Sequence, residues 1–188
     1  DSFKLVPKSM FLRALGAGAA AAVVASLLQT WLVATFDLET PTLIRYVAPV
    51  TEETLKVLFV LWALFRRQIG FLVDAAIVGF AIGAGFAVVE NVQYLQHLAD
   101  RSVWMWIVRG FGTALLHALT TAVMAIGAKT LIDRRPDQVW LAVVAPWAGA
   151  VLLHSAFNHA LVSPLLAAAI VMLVLPLVVL VVFTVSEE

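Results

Sequence analysis

A set of ionisable and amide side chains stands within otherwise apolar stretches of this sequence. Placing an ionisable side chain near the centre of a membrane helix costs roughly 2.5–3.5 kcal/mol on insertion scales. Residues that carry this cost are usually functional, and they face the interior of a helix bundle. The residues of this set are Glu52, Glu53, Lys56, Glu90, Asn91, His117, His154 and Asn158.

Two histidines and one carboxylate are a typical ligand set for catalytic zinc, because they leave a fourth position open for water. His117, His154 and Glu90 supply such a set. A bound zinc makes its water acidic enough to lose a proton near neutral pH. Glu52 or Glu53 would then be the general base that takes this proton while the water attacks a peptide carbonyl. The predicted chemistry is hydrolysis of a peptide bond at a zinc site.

The other polar residues have supporting roles in this prediction. Asn158 follows His154 by four residues, so the two share a helix face, and its amide could donate to the developing oxyanion. Glu52 and Glu53 point about 100° apart, so they cannot do the same work. One of them would face the reacting atom, and the other would hold Lys56 or orient a neighbour.

A metal-free mechanism uses the same residues. A buried glutamate would activate water directly, while His154 and Asn158 stabilise the oxyanion. The spacing leaves both mechanisms open, because the sequence contains no short HExxH motif. Serine chemistry is not favoured, since neither serine near His154 lies in a G-x-S-x-G turn. Lys56 and Asn91 are candidate supporting residues.

Composition indicates which elements position these residues. The chain has 188 residues, 63% of them hydrophobic and 13% charged, with a mean hydropathy of +1.00. A soluble core of this size could not bury so much apolar surface. Membrane helices need about 20 mostly apolar residues. The sequence therefore predicts an all-α, polytopic membrane bundle forming a single domain over 1–188, with about six spans at 11–36, 46–65, 71–96, 109–132, 139–162 and 165–185.

The basic residues predict the orientation of these spans, because Lys and Arg in short loops collect on the cytoplasmic side. With the N-terminus inside, most of the 12 basic residues fall on that side: Lys4, Lys8, Arg13, Arg66, Arg67, Lys129, Arg134 and Arg135. An even number of spans returns the C-terminus to the cytoplasm. We therefore expect a multi-pass protein of the cell membrane with both termini cytoplasmic.

The polar residues are predicted to lie at one depth. Counted from the outer ends of their spans, Glu53 and Glu90 lie roughly 10 Å below the outer edge of the membrane. His117 and His154 lie roughly 12 Å deep by the same count. Four different helices would thus bring polar side chains to one layer in the outer half of the bundle.

The third span has the spacing of a tightly packed helix. Gly79, Gly83 and Ala87 recur every four residues, which lets two helix backbones approach closely. We expect this helix to be central to the bundle.

Composition and charge exclude other classes of protein. Cysteine is absent, so disulfides and thiol nucleophiles are excluded. The basic residues form no stripe of the kind that nucleic acid needs. An ion- or proton-coupled transporter is an alternative, since intramembrane carboxylates and histidines also mark ion paths. The polar residues favour an enzyme site, because they form a layer in one half of the membrane and do not continue through the other.

The order of the motifs resembles that of the PrsW family of intramembrane proteases. Glu52-Glu53-Thr54-Leu55-Lys56 matches an EExxK motif, and Gly85-Phe86-Ala87-Val88-Val89-Glu90-Asn91 matches a GFAxxEN motif. Two histidine motifs follow, at His117 and at His154-Ser155-Ala156-Phe157-Asn158. The four motifs fall on four successive spans. The family is related to the type II CAAX prenyl endopeptidases and the Abi proteins, whose patterns are EExxxR, FxxxH and HxxxN.

The resemblance implies proteolysis of membrane-anchored proteins, with a single-span, anti-sigma-factor-like substrate cut near the outer face. The chain departs from the wider pattern at two positions. Lys56 stands one residue earlier than the arginine, and Glu90 stands where a histidine would be. Those departures weigh against a direct copy of the wider group's metal-free mechanism.

Overall fold

The computed structural model describes residues 6–97, 108–159 and 177, and the described part contains helices and no strand. Within these residues, six α-helices, numbered here in chain order, are accompanied by two π-helical segments. The α-helices are α1 Lys8–Phe36, α2 Thr40–Thr42, α3 Ala48–Phe65, α4 Leu72–His97, α5 Ala114–Arg134 and α6 Val139–Asn158. The π-helical segments are Leu43–Val47, directly before α3, and Val108–Thr113, directly before α5.

Four of the helices, α1, α4, α5 and α6, are long and apolar enough to cross a membrane. This supports the predicted multi-pass membrane protein. The helix α3 has 18 residues and carries the three charged residues Glu52, Glu53 and Lys56. The predicted sixth span, at about 165–185, lies outside the described residues apart from residue 177. The count of six and the cytoplasmic termini stay predictions.

The helix bounds differ from the predicted spans where local chemistry intervenes. Helical structure before α3 begins at Thr40, six residues earlier than predicted, with a proline in the first turn of α2. A proline fits there, because the first N–H groups of a helix have no intrahelical acceptor. At the other end of the described bundle, α6 stops at Asn158, four residues before the predicted end.

Glycines bring α4 against both α1 and α5. A Cβ atom on Gly83 would lie 2.1 Å from the carbonyl oxygen of His117, and one on Gly79 would lie 2.6 Å from that of Thr121. On the α1 side, a Cβ atom on Gly18 would lie 1.9 Å from the carbonyl oxygen of Ile82. Only glycine permits such contacts between backbones. The predicted close packing of the third span is thus confirmed, with α4 between two helices.

The π-helical segment before α3 follows from Pro49, which lies in the first turn of that helix. The N–H of Ala48 donates to the carbonyl of Leu43, five residues back. The next donor in this register would be residue 49, but proline has no N–H. The carbonyl of Ile44 is therefore left without its helical donor, and a side chain from another helix has to satisfy it.

Candidate functional site

A closed polar network connects α3, α5 and α6. Lys56 is the largest side chain at its centre and is fully buried. Its Nζ atom lies 2.8 Å from Oε1 of Glu53 and 2.7 Å from Nδ1 of His117, and it sits 4.0 Å above the ring centre of Phe86. The Glu53 side chain is also fully buried. The lysine charge is thus balanced by a carboxylate, an imidazole and an aromatic face.

His154 is held by the same carboxylate. Its Nδ1 atom lies 2.8 Å from Oε1 of Glu53. An ionised carboxylate can only accept, so Nδ1 carries the proton and donates, and the Nε2 lone pair of the neutral ring stays available. That Nε2 atom lies 3.9 Å from Oε2 of Glu52. A carboxylate behind a histidine is the usual way in which proteins orient an imidazole for a metal ion.

His117 makes two polar contacts, one through each ring nitrogen. An ammonium group can only donate, so Nδ1 of His117 accepts from Lys56. Its Nε2 atom then carries the proton and donates to Oε2 of Glu90, 2.7 Å away. Gly83 lies two helical turns before Glu90 on α4, and its contact with the His117 carbonyl brings the two side chains into reach. Metal binding through His117 would displace one of these two partners.

Glu52, His117 and His154 form a buried group that could hold a metal ion. One potential ligand atom from each residue lies within 4.8 Å of the others. The Oε2 atom of Glu52 is buried and has no hydrogen-bond partner among the described residues. Two imidazoles and a carboxylate suit zinc, whose bonds to nitrogen and oxygen are about 2.0–2.2 Å long. The 3.9 Å between Glu52 and His154 is therefore within the reach of one shared ion.

A cavity of about 610 Å³ opens beside this group, between α1 and α4. The two helices touch at Gly18 and Gly85 and leave the cavity between their following turns. Glu52 and Glu90 both reach it, and the Glu90 side chain is 27% exposed. The complete lining is Ala22, Ala25, Ser26, Gln29, Leu43, Glu52, Phe86, Glu90, Gln93 and Tyr94. The lining of the cavity thus combines two carboxylates with alanine, aromatic and amide side chains.

Asn158 contacts the backbone before α3. Its Nδ2 atom donates to the carbonyl oxygen of Ile44 at 2.9 Å, which is the acceptor that Pro49 leaves without a helical donor. Ser155 donates in the same way to the carbonyl oxygen of Arg45 at 2.7 Å. Asn158 thus ties α6 to the π-helical segment, and its predicted role as an oxyanion donor stays a prediction.

The structure brings the predicted residues together, but the carboxylates have different partners from those predicted. The contacts above connect Glu53, Lys56, Glu90, His117 and His154, while their predicted roles stay predictions. The carboxylate that pairs with Lys56 is that of Glu53, three residues earlier in α3. The carboxylate that lies near both histidines is Glu52, whereas Glu90 contacts His117.

The remaining supporting candidate, Asn91, lies next to Glu90 on α4 and is half-buried. It is absent from the lining of the cavity and from the three-residue group in the described part of the chain. Its supporting role stays a prediction.

Gln29 is a residue of the site that was not predicted. Gln29 of α1 donates to Glu52 and lines the cavity. A usable signal was present, because Gln29 is an amide within an apolar span and lies seven residues before Phe36, the predicted outer end. That spacing places it roughly 10 Å deep, at the predicted level of the acidic layer.

The comparisons with known proteins agree with the residues at this site. The family model described as "PrsW family intramembrane metalloprotease" matches residues 6–185. The comparisons with curated proteins and with solved structures find no match. The matched range covers nearly the whole chain and includes every residue described above. The chain therefore belongs to the PrsW family of intramembrane metalloproteases.

Proposed function

We propose that this protein is a zinc-dependent intramembrane endopeptidase that hydrolyses a peptide bond of a single-span membrane protein. The observation that carries the proposal is the buried group of Glu52, His117 and His154 beside a cavity between apolar helices. Membership of a metalloprotease family supports the same chemistry. The transporter alternative gains no support from the family or from the geometry.

Zinc bound to Glu52, His117 and His154 would polarise the peptide carbonyl and supply an activated water at neutral pH. The protein's own residues prepare this site. Glu53 holds His154 with Nε2 turned toward Glu52. Lys56 balances the charge of Glu53. Its contact with His117 is the one that a metal would displace, because Nδ1 of that ring carries the lone pair.

Glu90 is the carboxylate best placed to move the proton. It lines the cavity, is partly exposed, and contacts His117, whose Nε2–H donates to it. A general base has to reach the attacking water and return the proton to the leaving amine. In this proposal Glu52 is a ligand and Glu90 is the base, which reverses the assignment made from sequence alone.

The cavity is the place where a substrate would meet the carboxylates. It lies between α1 and α4, and its volume is large enough for several groups of a peptide segment. A peptide bond in a helix is shielded by its neighbours, so the substrate segment would have to unwind locally to enter. The family resemblance adds an anti-sigma-factor-like substrate cut near the outer face.

Two substitutions test the division of roles. Glu52→Gln should abolish stoichiometric zinc binding and lower cleavage of a single-span substrate by more than about 1,000-fold, because it removes a charged ligand. Glu90→Gln should lower kcat by about 100- to 10,000-fold and keep zinc, because it removes a general base. Zinc is measured by elemental analysis of purified protein, and cleavage is measured in proteoliposomes.

Chelation and readdition of zinc complete the test. Wild-type activity should disappear with chelator and return with zinc. If Glu90→Gln loses the metal while Glu52→Gln keeps it, the original assignment of Glu90 as ligand is correct. Activity that persists in protein without metal would contradict zinc dependence and favour the metal-free mechanism.

A further inference from the structure

The helix α1 carries none of the family motifs quoted above, yet one of its side chains contacts a member of the three-residue group. Gln29 Nε2 lies 3.1 Å from Oε1 of Glu52 and 3.1 Å from Oγ1 of Thr51. Both contacts join α1 to the first turns of α3. They connect the family's acidic motif to a helix outside that motif.

The hydrogen-bond partners of Gln29 fix the orientation of its amide group. The hydroxyl of Thr51 donates to the carbonyl of Val47 or of Ala48, each at 3.0 Å, so toward Gln29 it can only accept. The carboxylate of Glu52 can only accept as well. The two hydrogens of Nε2 therefore serve both acceptors, one for each, and the amide nitrogen has to face α3.

This arrangement separates the two oxygen atoms of Glu52. Oε1 accepts from Gln29, whereas Oε2 is buried, has no hydrogen-bond partner among the described residues, and lies 3.9 Å from Nε2 of His154. Without the amide, rotation of the glutamate side chain could exchange the two oxygens or turn both away. With the amide, one oxygen is held and the other faces the histidine.

We propose that Gln29 is a positioning residue, which holds Glu52 with Oε2 turned toward His154 so that it can act as a metal ligand. The inference rests on the ligand role of Glu52 in the proposed function. It assigns α1 a part in metal binding that is separate from its part in lining the cavity. Partners that orient a ligand typically change metal affinity or activity by about 10- to 100-fold.

Two variants of Gln29 separate donation from packing. Gln29→Glu keeps the shape of the side chain and replaces the donor group with an acceptor, and Gln29→Leu removes the polar atoms at similar size. Both should raise the Kd for zinc by about 10- to 100-fold. The Kd is measured by competition with a chromophoric chelator. Packing alone would leave Gln29→Glu with the affinity of the wild type.

A spectroscopic and a kinetic readout accompany the affinity. Cobalt bound in place of zinc should show altered visible absorption bands in both variants, because the carboxylate ligand changes its geometry. In zinc-saturated protein, kcat should fall more than KM rises. A change confined to KM would assign Gln29 to substrate binding alone and overturn the positioning role.

The matched control is Thr30→Val, at the next residue of α1. Thr30 is exposed and its hydroxyl donates to the carbonyl of Ser26 at 2.8 Å, so zinc affinity should match the wild type. Unchanged affinity in both Gln29 variants, with loss of zinc in Glu52→Gln, would overturn this proposal and leave the proposed function standing. A wild-type protein that binds no zinc would overturn both.

Discussion

The two adjacent glutamates of α3 lie in opposite halves of one polar layer. Glu53 belongs to a closed half, in which Lys56 and His154 both contact its Oε1 atom and its side chain is not part of the lining of the cavity of about 610 Å³. Glu52 belongs to an open half, which faces the cavity and places Oε2 of Glu52 3.9 Å from Nε2 of His154. Two residues that are adjacent in sequence thus have different environments and different roles.

The difference indicates how a membrane protein can keep reactive carboxylates in an apolar environment. A buried charge is tolerated when an opposite charge and hydrogen bonds compensate it. The closed half meets that condition through the contact between Lys56 and Glu53. The open half has two carboxylates, Glu52 and Glu90, at the cavity, where they can bind an ion or handle a proton. Stability and reactivity are assigned to different residues of one layer.

The largest expected difference between the halves is in stability. Glu53→Gln leaves the buried ammonium of Lys56 without its carboxylate partner, so the free energy of unfolding should fall by about 3–5 kcal/mol. Glu52→Gln removes a carboxylate that forms no ion pair with Lys or Arg among the described residues, so stability should change by about 1 kcal/mol or less. Denaturant or thermal unfolding in detergent micelles measures both.

A double variant checks the cause of this loss. Adding Lys56→Met to Glu53→Gln removes both charges, so part of the lost stability should return, since paired buried charges can be replaced by apolar groups at little cost. Equal destabilisation by Glu52→Gln and Glu53→Gln would contradict the division into halves.

The next effect concerns the open half. Ala25→Leu adds bulk to the wall of the cavity, so KM for the membrane substrate should rise by about tenfold while zinc affinity stays unchanged. Ala25 is only 2% exposed, so the added atoms must enter the cavity or displace α4. Cleavage kinetics over a range of substrate concentrations in proteoliposomes provide the measurement.

Ala20→Leu is the control for this variant, because Ala20 lies on the exposed face of α1. It should leave KM unchanged. If the two variants affect KM equally, the cavity is not where the substrate binds.

The smallest effect is expected outside both halves. Asn158→Ala removes one hydrogen bond to the carbonyl of Ile44, so the free energy of unfolding should fall by about 1 kcal/mol. Cleavage should fall by less than about tenfold. Loss of an oxyanion donor would instead lower kcat by about 100- to 1,000-fold. Kinetics and unfolding measured on the same preparation distinguish a backbone tie from a catalytic amide.

Much of the candidate site could be predicted from sequence, because polar groups are conspicuous in membrane helices. Glu90, His117 and His154 each stand out in an apolar stretch, and the predicted spans place them at similar depths in the membrane. The glycines of α4 were readable for the same reason, since small residues at four-residue spacing mark a helix contact. The four-residue spacing of the small residues and the polarity of the others were sufficient to identify them.

The pairing of those residues could not be predicted, because sequence spacing does not fix rotation about the axis of each helix. Glu52 at i−4 and Glu53 at i−3 are both reasonable partners for Lys56. Only the packing of α3 against α5 and α6 decides between them. The start of helical structure at Thr40 was also not predicted, because the carbonyls of Ile44 and Arg45 accept hydrogen bonds from side chains of α6, which is distant in sequence.

The sequence by itself determined the class of the protein and the membership of its polar layer, because apolar length and the cost of intramembrane polar groups are local properties. The tertiary structure decided which carboxylate joins the histidines, because ligand atoms meet only when helices are packed at a particular rotation and distance. It also gave Gln29 a place beside Glu52, and gave Asn158 a place on the backbone near Pro49. Contacts across 23 and 114 residues of chain depend on packing, and no sequence period records them.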